Sequence, residues 1–251
     1  MHPVAAGGFA SAAPTYARIR PTYARAAIGV IKERTTAGGL VVDVAAGTGI
    51  LSGQLWRAQL SVVALEPLPE MLVQLRRTLP GVPALRAVAE RLPFADAAVD
   101  AVTVGEAFHW FDAPAALAEA RRVLRRGGLL ALAWNRRDDS VDWVARYGDA
   151  VLSERPEGRP YEPDPDLGAT VAAVGGFEGV ERSRVPNPRP CSPQQLVDRA
   201  ASTSFVADAG DAVRARVLER VRDLAATHPD LAGRATFDLP YVTELWTWRA
   251  A

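Results

Sequence analysis

The chain has 251 residues, 49% of them hydrophobic, and its 29 basic and 29 acidic side chains cancel. That balance excludes a strong generic attraction to nucleic acid or to an anionic membrane surface. The lone cysteine, Cys191, excludes an intrachain disulfide framework and a cysteine-based zinc site, and the best apolar run, LLALAW at 129–134, is far short of the ~20 residues of a membrane span.

The first 14 residues carry many small side chains but neither the basic start nor the apolar stretch of a secretory signal, so a tail and a cytoplasmic location are expected. TYARIRPTYARAAIGVIKERT reads as two short helical pieces parted at Pro21, the second with Ala24, Ala27, Ile28 and Ile31 on one face. GGLVVDVA follows, a continuous β-branched run of the kind found in buried parallel strands. A helix over about 49–58, a strand over 61–66, a helix over 69–79 and a strand near 84–89 continue the alternation. The next cycle is a strand at 99–105, a helix from Pro114 to about Arg125 with Leu117, Ala120 and Leu124 facing a sheet, and a strand at 128–135. Gly127 and Gly128 read as the stop of that helix, with Arg125 and Arg126 where cations suit its negative end.

Beyond 136 the cycle loosens. A helix around 141–153 leads into RPEGRPYEPDPDLG, dense in proline and glycine and expected as a loop or lid. A strand at 177–185, helices over 192–203 and 211–228, and a single closing strand in ATFDLPYVTELWTWRA complete the chain. Strands alternating with helices imply an α/β fold with right-handed crossovers onto a parallel sheet.

The chemistry concentrates in DVAAGTG. A strand ending at Asp43, then small residues with Gly47 and Gly49 before a helix, lets backbone amides approach a ligand at a positive helix end. Dinucleotides and S-adenosylmethionine both use such a turn. The third glycine of the dinucleotide fingerprint is Ser52 here. A carboxylate at Asp43 repels a pyrophosphate and suits a ligand with an ammonium group. Glu66, 23 residues on at the end of the second strand, stands at the separation from which an acidic residue reaches ribose hydroxyls.

VVDVAAGTGILSGQL, VVALEPLPEML, AVAERLPFADAAVDAVTVGEAFHWFD and ALAEARRVLRRGGLLALAW, in that order and spacing, resemble the class I S-adenosylmethionine-dependent methyltransferases. Within them, the small-molecule group related to the aconitate and ubiquinone or menaquinone methyltransferases is the most similar. The resemblance covers residues of about 15–150, and LPYVTELW resembles the closing strand of the same group. It implies a Rossmann-like, seven-stranded, mostly parallel sheet with helices on both faces and a helical lid between the last two strands. Residues 1–35 then form a tail and cofactor-covering helices, and 36–251 the methyltransferase domain, with 136–170 and 192–232 as lid or acceptor-site segments.

Carried over position by position, the resemblance implies Asp43, Ala45, Gly47 and Gly49 around the methionine part of the cofactor, Glu66 on the ribose, and Leu68 and Met71 lining the adenine. Val88 lacks the aspartate that many relatives aim at the adenine amino group, which leaves Ala89 and Glu90 as candidates. Gly105 passes the sulfonium side. Tyr16, Arg20 and Tyr23 resemble an N-terminal segment that folds over the cofactor, with Arg20 at its carboxylate. Two letters depart from the family pattern: Ala45 for the first loop glycine, accommodated if its φ is negative, and Arg126 for a proline.

Methyl transfer needs alignment, water exclusion and, for a protonated acceptor, a base. His109 is the candidate catalytic group. Trp110, Trp134 and Arg136, with Tyr23, are acceptor-site candidates because ligands bind outside carboxyl strand ends. Cys191 lies too late in the chain to act as the nucleophile of a cytosine methyltransferase, and GEAF replaces the Asn-Pro-Pro-Tyr type of adenine methyltransferases. The expected partner is therefore a small-molecule acceptor, with no nucleic acid, no membrane insertion and no metal, and the protein a monomer or homodimer. A nicotinamide-dependent oxidoreductase and a non-catalytic S-adenosylmethionine-binding module are the alternative readings.

Overall fold

The computed structural model describes residues 21–155 and 166–251. Tyr16, Arg20 and most of RPEGRPYEPDPDLG lie outside the described residues.

Strands β1 (Leu40–Val44), β2 (Ser61–Leu65), β3 (Ala84–Leu85), β4 (Val99–Gly105) and β5 (Leu124–Arg137) join in parallel, β1 between β2 and β4. With β6 (Phe177–Pro186) and β9 (Tyr241–Ala250) they form a seven-stranded, mostly parallel sheet in the order β3-β2-β1-β4-β5-β9-β6. Alternate residues of each central strand enter different cores. Val41, Ala101, Leu129 and Ala131 pack on one face, against Ile31 of α1 (Arg25–Arg34), Leu55 of α2 (Ile50–Arg57) and Leu75 of α3 (Pro69–Thr78). Val42, Val102, Leu130 and Leu132 pack on the other, against Leu117 of α4 (Ala113–Val123) and Val171 of α6 (Leu167–Val174). Burial on both faces is why these strands read as unbroken apolar runs. The expected α/β architecture with helices on both faces is the one observed.

The chain divides at Asn135, Val185 and Val242 into two compact units. One contains the sheet and the helices just named. The other has its own core, built from α5 (Asp142–Leu152), α7 (Pro193–Ala201), α8 (Ser204–Ala207), α9 (Asp211–Thr227) and the antiparallel pair β7 (Arg189–Cys191) and β8 (Phe237–Leu239). Trp143 meets Phe237 edge to face, centroids 5.4 Å apart, and Ser192 with Gln195 closes a full capping box on α7.

Three expectations are corrected. Helix α4 ends at Val123, so Arg125 and Arg126 lie in β5 and the basic last turn is Arg121 and Arg122. The cause is tertiary: Leu124 pairs with Val99 across a register irregularity, and Arg125 Nη1 donates to the buried Asp100 carboxylate at 2.8 Å. The strand near 84–89 is only two residues long, followed by an isolated bridge between Val88 and Arg91. The closing strand is two strands, because Pro240 offers no N–H to a ladder; β8 stays in the helical unit while β9 enters the large sheet. Strand β7 and helix α6 were not expected from the sequence.

Candidate active site

Chain order reverses between β1 and β4: β2 and β3 lie to one side of β1, β4 and β5 to the other. Ligands of doubly wound sheets bind beyond the carboxyl ends of the strands at such a switch point, and the chain places a cleft there, with an empty volume of about 1090 Å³ including its open mouth.

Its floor is the turn after β1. Asp43 is fully buried and shares the register position of Thr103 on β4. One carboxylate oxygen accepts from Thr103 Oγ1 at 3.0 Å, the other from Ser52 Oγ in the first turns of α2. Burial, only partly offset by those bonds, raises its pKa to about 6. Asp43 therefore ties the strand to the helix that the turn joins. Glu66, 4% exposed, performs the matching task at the end of β2: Oε2 accepts from Gly47 N at 2.8 Å and Oε1 from Leu68 N at 2.9 Å. Burial pushes its pKa up as well. A carboxylate offers about four acceptor positions, so two backbone bonds leave Glu66 able to receive ribose hydroxyls.

The turn itself is left-handed in three places: Ala45 at φ 54°, Gly47 at 59° and Gly49 at 88°. The negative φ on which an alanine at position 45 depended is not what the fold provides, and Ala45 sits in a region that costs an L-residue about 1–2 kcal/mol. A Cβ built on Gly47 meets nothing within 4 Å, so the loop surface is open for a ligand to approach.

The walls of the cleft include Leu68, Met71, Ala89, Glu90, Gly105 and Trp110, together with Tyr23, so these expected residues are brought together with Asp43, Ala45, Gly47 and Glu66. Gly105 is required by Tyr23, since a Cβ there would stand 2.3 Å from the phenolic oxygen. Tyr23 is anchored in turn, its backbone N and O each bonded at 2.8 Å to the Gln54 side chain of α2. Glu90 Oε1 accepts from Asp112 N at 3.2 Å.

Four expected residues stand elsewhere. Gly49, the N-cap of α2, faces Leu79 and Leu75 in the core. His109 lies in a 3-10 turn (Phe108–Trp110) with its side chain exposed, beside the Trp110 ring at 4.7 Å and not on the cleft wall. Trp134, 4% exposed, is part of the core on the α4 face of the sheet, because it alternates in phase with Leu130 and Leu132. Arg136 begins the helical unit and does not line the cleft.

Sequence reasoning missed Ser52 and Thr103 as the partners of Asp43, and Glu106 as a wall residue. Glu106 has φ 60°, lines the cleft at the end of β4, and accepts from Asn135 N at 2.5 Å. A non-glycine residue held in the left-handed region beside a ligand cleft is a usual mark of a functional position. The only available signal was its place directly after Gly105. Among the described residues no cluster is suited to a metal ion, and no helix is long and apolar enough to cross a membrane.

Fold and cleft together define a doubly wound α/β domain built to hold a nucleoside-bearing ligand at its switch point. The model of the methyltransferase-domain family matches residues 42–132. An uncharacterized methyltransferase of Mycobacterium tuberculosis is 42% identical over 235 residues, covering 94% of this chain and 92% of that protein. The chain belongs to the S-adenosylmethionine-dependent methyltransferases, and S-adenosylmethionine is its cofactor. A demethylmenaquinone methyltransferase of Renibacterium salmoninarum is 42% identical over 97 residues, covering 38% of this chain and 41% of that protein. Among solved structures, a candidate type II methyltransferase of Anaeromyxobacter dehalogenans superposes with a TM-score of 0.68 at 24% identity, covering 92% and 97% of the two chains. The [4+2]-cyclase SpnF superposes at 0.55 with 21% identity over 90% of this chain and 80% of the other. Likeness at that level is a likeness of fold. Family membership decides against the nicotinamide reading.

Proposed function

We propose that the chain transfers a methyl group from S-adenosylmethionine to a small-molecule acceptor by in-line displacement. The observation that carries this is the composition of the cleft: beside the acid-anchored turn its wall is apolar and aromatic, through Val88, Ala107, Trp110 and Phe111, a surface suited to a compact organic acceptor. The zero formal charge points the same way, as does the demethylmenaquinone in the name of the relative from Renibacterium.

The cofactor supplies a methyl group already activated on a cationic sulfur. The protein supplies the rest. Glu66 receives the ribose hydroxyls, Leu68 and Met71 cover the adenine, and Ala89 with Glu90 meets its amino edge. Ala45 and Gly47 pass close to the methionine part, and Asp43 acts on that part by fixing the loop. Gly105 gives the space of its missing side chain to the phenol of Tyr23 at the sulfonium side. Trp110 excludes water from the line of transfer. His109, exposed and next in sequence to the wall residue Trp110, is the candidate for taking the acceptor proton where there is one, provided that its ring turns toward the cleft when the acceptor binds.

Titration calorimetry with S-adenosylhomocysteine tests the cofactor assignments: binding is expected in the wild type and lost in Asp43→Ala. Incubation with methyl-labelled cofactor and fractionated lysate tests the acceptor class. Label in a small molecule is the expected result, and label only in protein or nucleic acid overturns the proposal. As a base, His109 accounts for about 100-fold or more in turnover; a smaller loss in His109→Ala removes it from the mechanism.

A further inference from the structure

One end of the cleft carries a carboxylate that the cofactor assignments do not use. Glu106 directly follows Gly105 at the carboxyl end of β4 and lines the cleft. Its backbone is held at φ 60°, a conformation that an L-residue keeps only where its surroundings fix it. Here they fix it through main chain and side chain alike. Glu106 N donates to Ala133 O at 2.9 Å, and Glu106 Oε1 accepts from Asn135 N at 2.5 Å, so both are tied to the end of β5. Asn135 is fastened in turn. Its Nδ2 donates to Pro21 O at 3.1 Å, and its Oδ1 accepts at 2.7 Å from Oγ1 of the buried Thr243 on β9, a hydroxyl that also receives Ala24 N at 2.8 Å. Strands β4, β5 and β9 and the segment before α1 thus join in holding Glu106 at the cleft wall.

Charge narrows what this carboxylate can meet. Among the described residues that line the cleft the acids are Asp43, Glu66, Glu90 and Glu106, and no lysine, arginine or histidine stands with them. Asp43 is fully buried with its oxygens on Ser52 and Thr103, and Glu66 and Glu90 serve the nucleoside end. Glu106 stands instead beside Gly105, on the side from which the acceptor approaches the sulfonium. An anionic acceptor is repelled there, whereas an O–H or N–H group gains a charge-assisted hydrogen bond. A carboxylate has about four acceptor positions, enough to serve the protein and a ligand together. Because the group is already held, little ordering cost falls on aligning the acceptor.

We propose that Glu106 selects the methyl acceptor: it receives a hydrogen bond from an O–H or N–H group of a neutral or cationic small molecule, and it disfavours acceptors that carry a carboxylate or phosphate. This rests on the reading of the cleft as a site of methyl transfer to a small molecule. Hydroxyl compounds and amines present the same donor chemistry to the carboxylate.

The test incubates the full chain and methyl-labelled S-adenosylmethionine with lysate metabolites divided into those retained on an anion exchanger, those retained on a cation exchanger, and those retained on neither. With the wild type, label is expected in the cation-exchanger pool if the acceptor is an amine, and in the unretained pool if it is a neutral hydroxyl compound. The initial rate is expected to fall about ten-fold or more in Glu106→Gln, which keeps the shape and an oxygen for Asn135 N but replaces the second acceptor atom by a donor. Calorimetric affinities for S-adenosylmethionine and S-adenosylhomocysteine, and the melting temperature, are expected to be unchanged in that variant. Should it fail to fold, Glu106→Asp carries the comparison, since aspartate tolerates the left-handed region and draws the carboxylate back by one methylene. Label confined to the anion-exchanger pool, or equal rates in wild type and variant, overturns the proposal and leaves methyl transfer to a small molecule standing. A loss of S-adenosylmethionine affinity as large as the loss of rate also overturns it, because Glu106 would then serve the cofactor. Absence of label from all the pools overturns the methyl-transfer reading itself, and this proposal with it.

Discussion

Replacing Ala45 by glycine tests whether the turn after β1 is held under strain. The alanine occupies φ 54°, where an L-residue pays about 1–2 kcal/mol that glycine does not. Glycine also enlarges the unfolded ensemble, which costs about 0.4–1 kcal/mol. The difference leaves Ala45→Gly more stable by roughly 0.5–1 kcal/mol, or about 1–4 °C in melting temperature for a chain of this size. Urea denaturation followed by tryptophan fluorescence reads the change as a shift in midpoint at constant slope. Cofactor affinity is expected to stay the same or rise, since Ala45 lines the cleft and loses only a methyl group. A variant less stable than wild type by 1 kcal/mol or more would refute the strain argument, because the methyl group would then be contributing packing that exceeds its backbone cost.

Gly105→Ala places a Cβ 2.3 Å from Tyr23 Oη and 3.3 Å from Leu51 Cδ2; with Tyr23 fastened to Gln54, the clash is expected to cost about 1–3 kcal/mol and to weaken S-adenosylhomocysteine binding, while Tyr23→Leu in the same chain recovers much of the stability. Failure of that rescue in a double-mutant cycle removes Tyr23 as the cause. Asp43, raised to about 6 from 3.8, binds a proton more readily folded than unfolded, so its contribution to stability is complete below pH 3.8 and is lost as the pH rises through 6. Asp43→Asn is therefore expected to gain on wild type by up to roughly 3 kcal/mol between pH 4 and pH 7; a stability difference that is flat across that window contradicts the assignment. Ser192→Ala removes one half of the α7 capping box and is expected to cost about 1 kcal/mol, seen by hydrogen exchange as faster opening of α7 amides.

The parts of the fold legible in the sequence are those where one rule acts alone. Strands β1, β2 and β4 are apolar throughout because helices cover both of their faces, and their helices carry regular apolar faces. The errors fall where a distant partner overrides local preference. Arg125 and Arg126 are charged and precede two glycines, which reads locally as a helix end, yet pairing of Leu124 with Val99 and the ion pair of Arg125 with Asp100 draw them into a strand. Three-residue strands such as β7, with a proline in the middle, have too few positions to show any period. Pro240 was visible, but that it sends β8 and β9 into different sheets depends on what each one meets.

The same distinction explains the site. The turn was legible because glycine spacing, a strand-end acid and a second acid 23 residues on are local signals with one physical use. How the acids act was not legible, because their partners are remote in sequence or on another element. Asp43 suits an ammonium group when read as a letter, but in the fold its oxygens are taken by Ser52 and Thr103 and none of its surface is exposed. It works as the fastening between β1, β4 and α2, and this fixes where the Ala45–Gly49 amides lie. Glu66 does the same for Gly47 and Leu68 while standing at the cleft itself. Two acids with the same sequence signature thus carry unequal expectations: removing Asp43 releases the loop and takes stability with it, whereas Glu66→Gln, which keeps an acceptor oxygen and the shape, is expected to weaken cofactor binding more than folding. Calorimetry and denaturation on the two variants separate these outcomes, and equal losses of stability in both would mean that the loop, not the ribose, is what Glu66 serves.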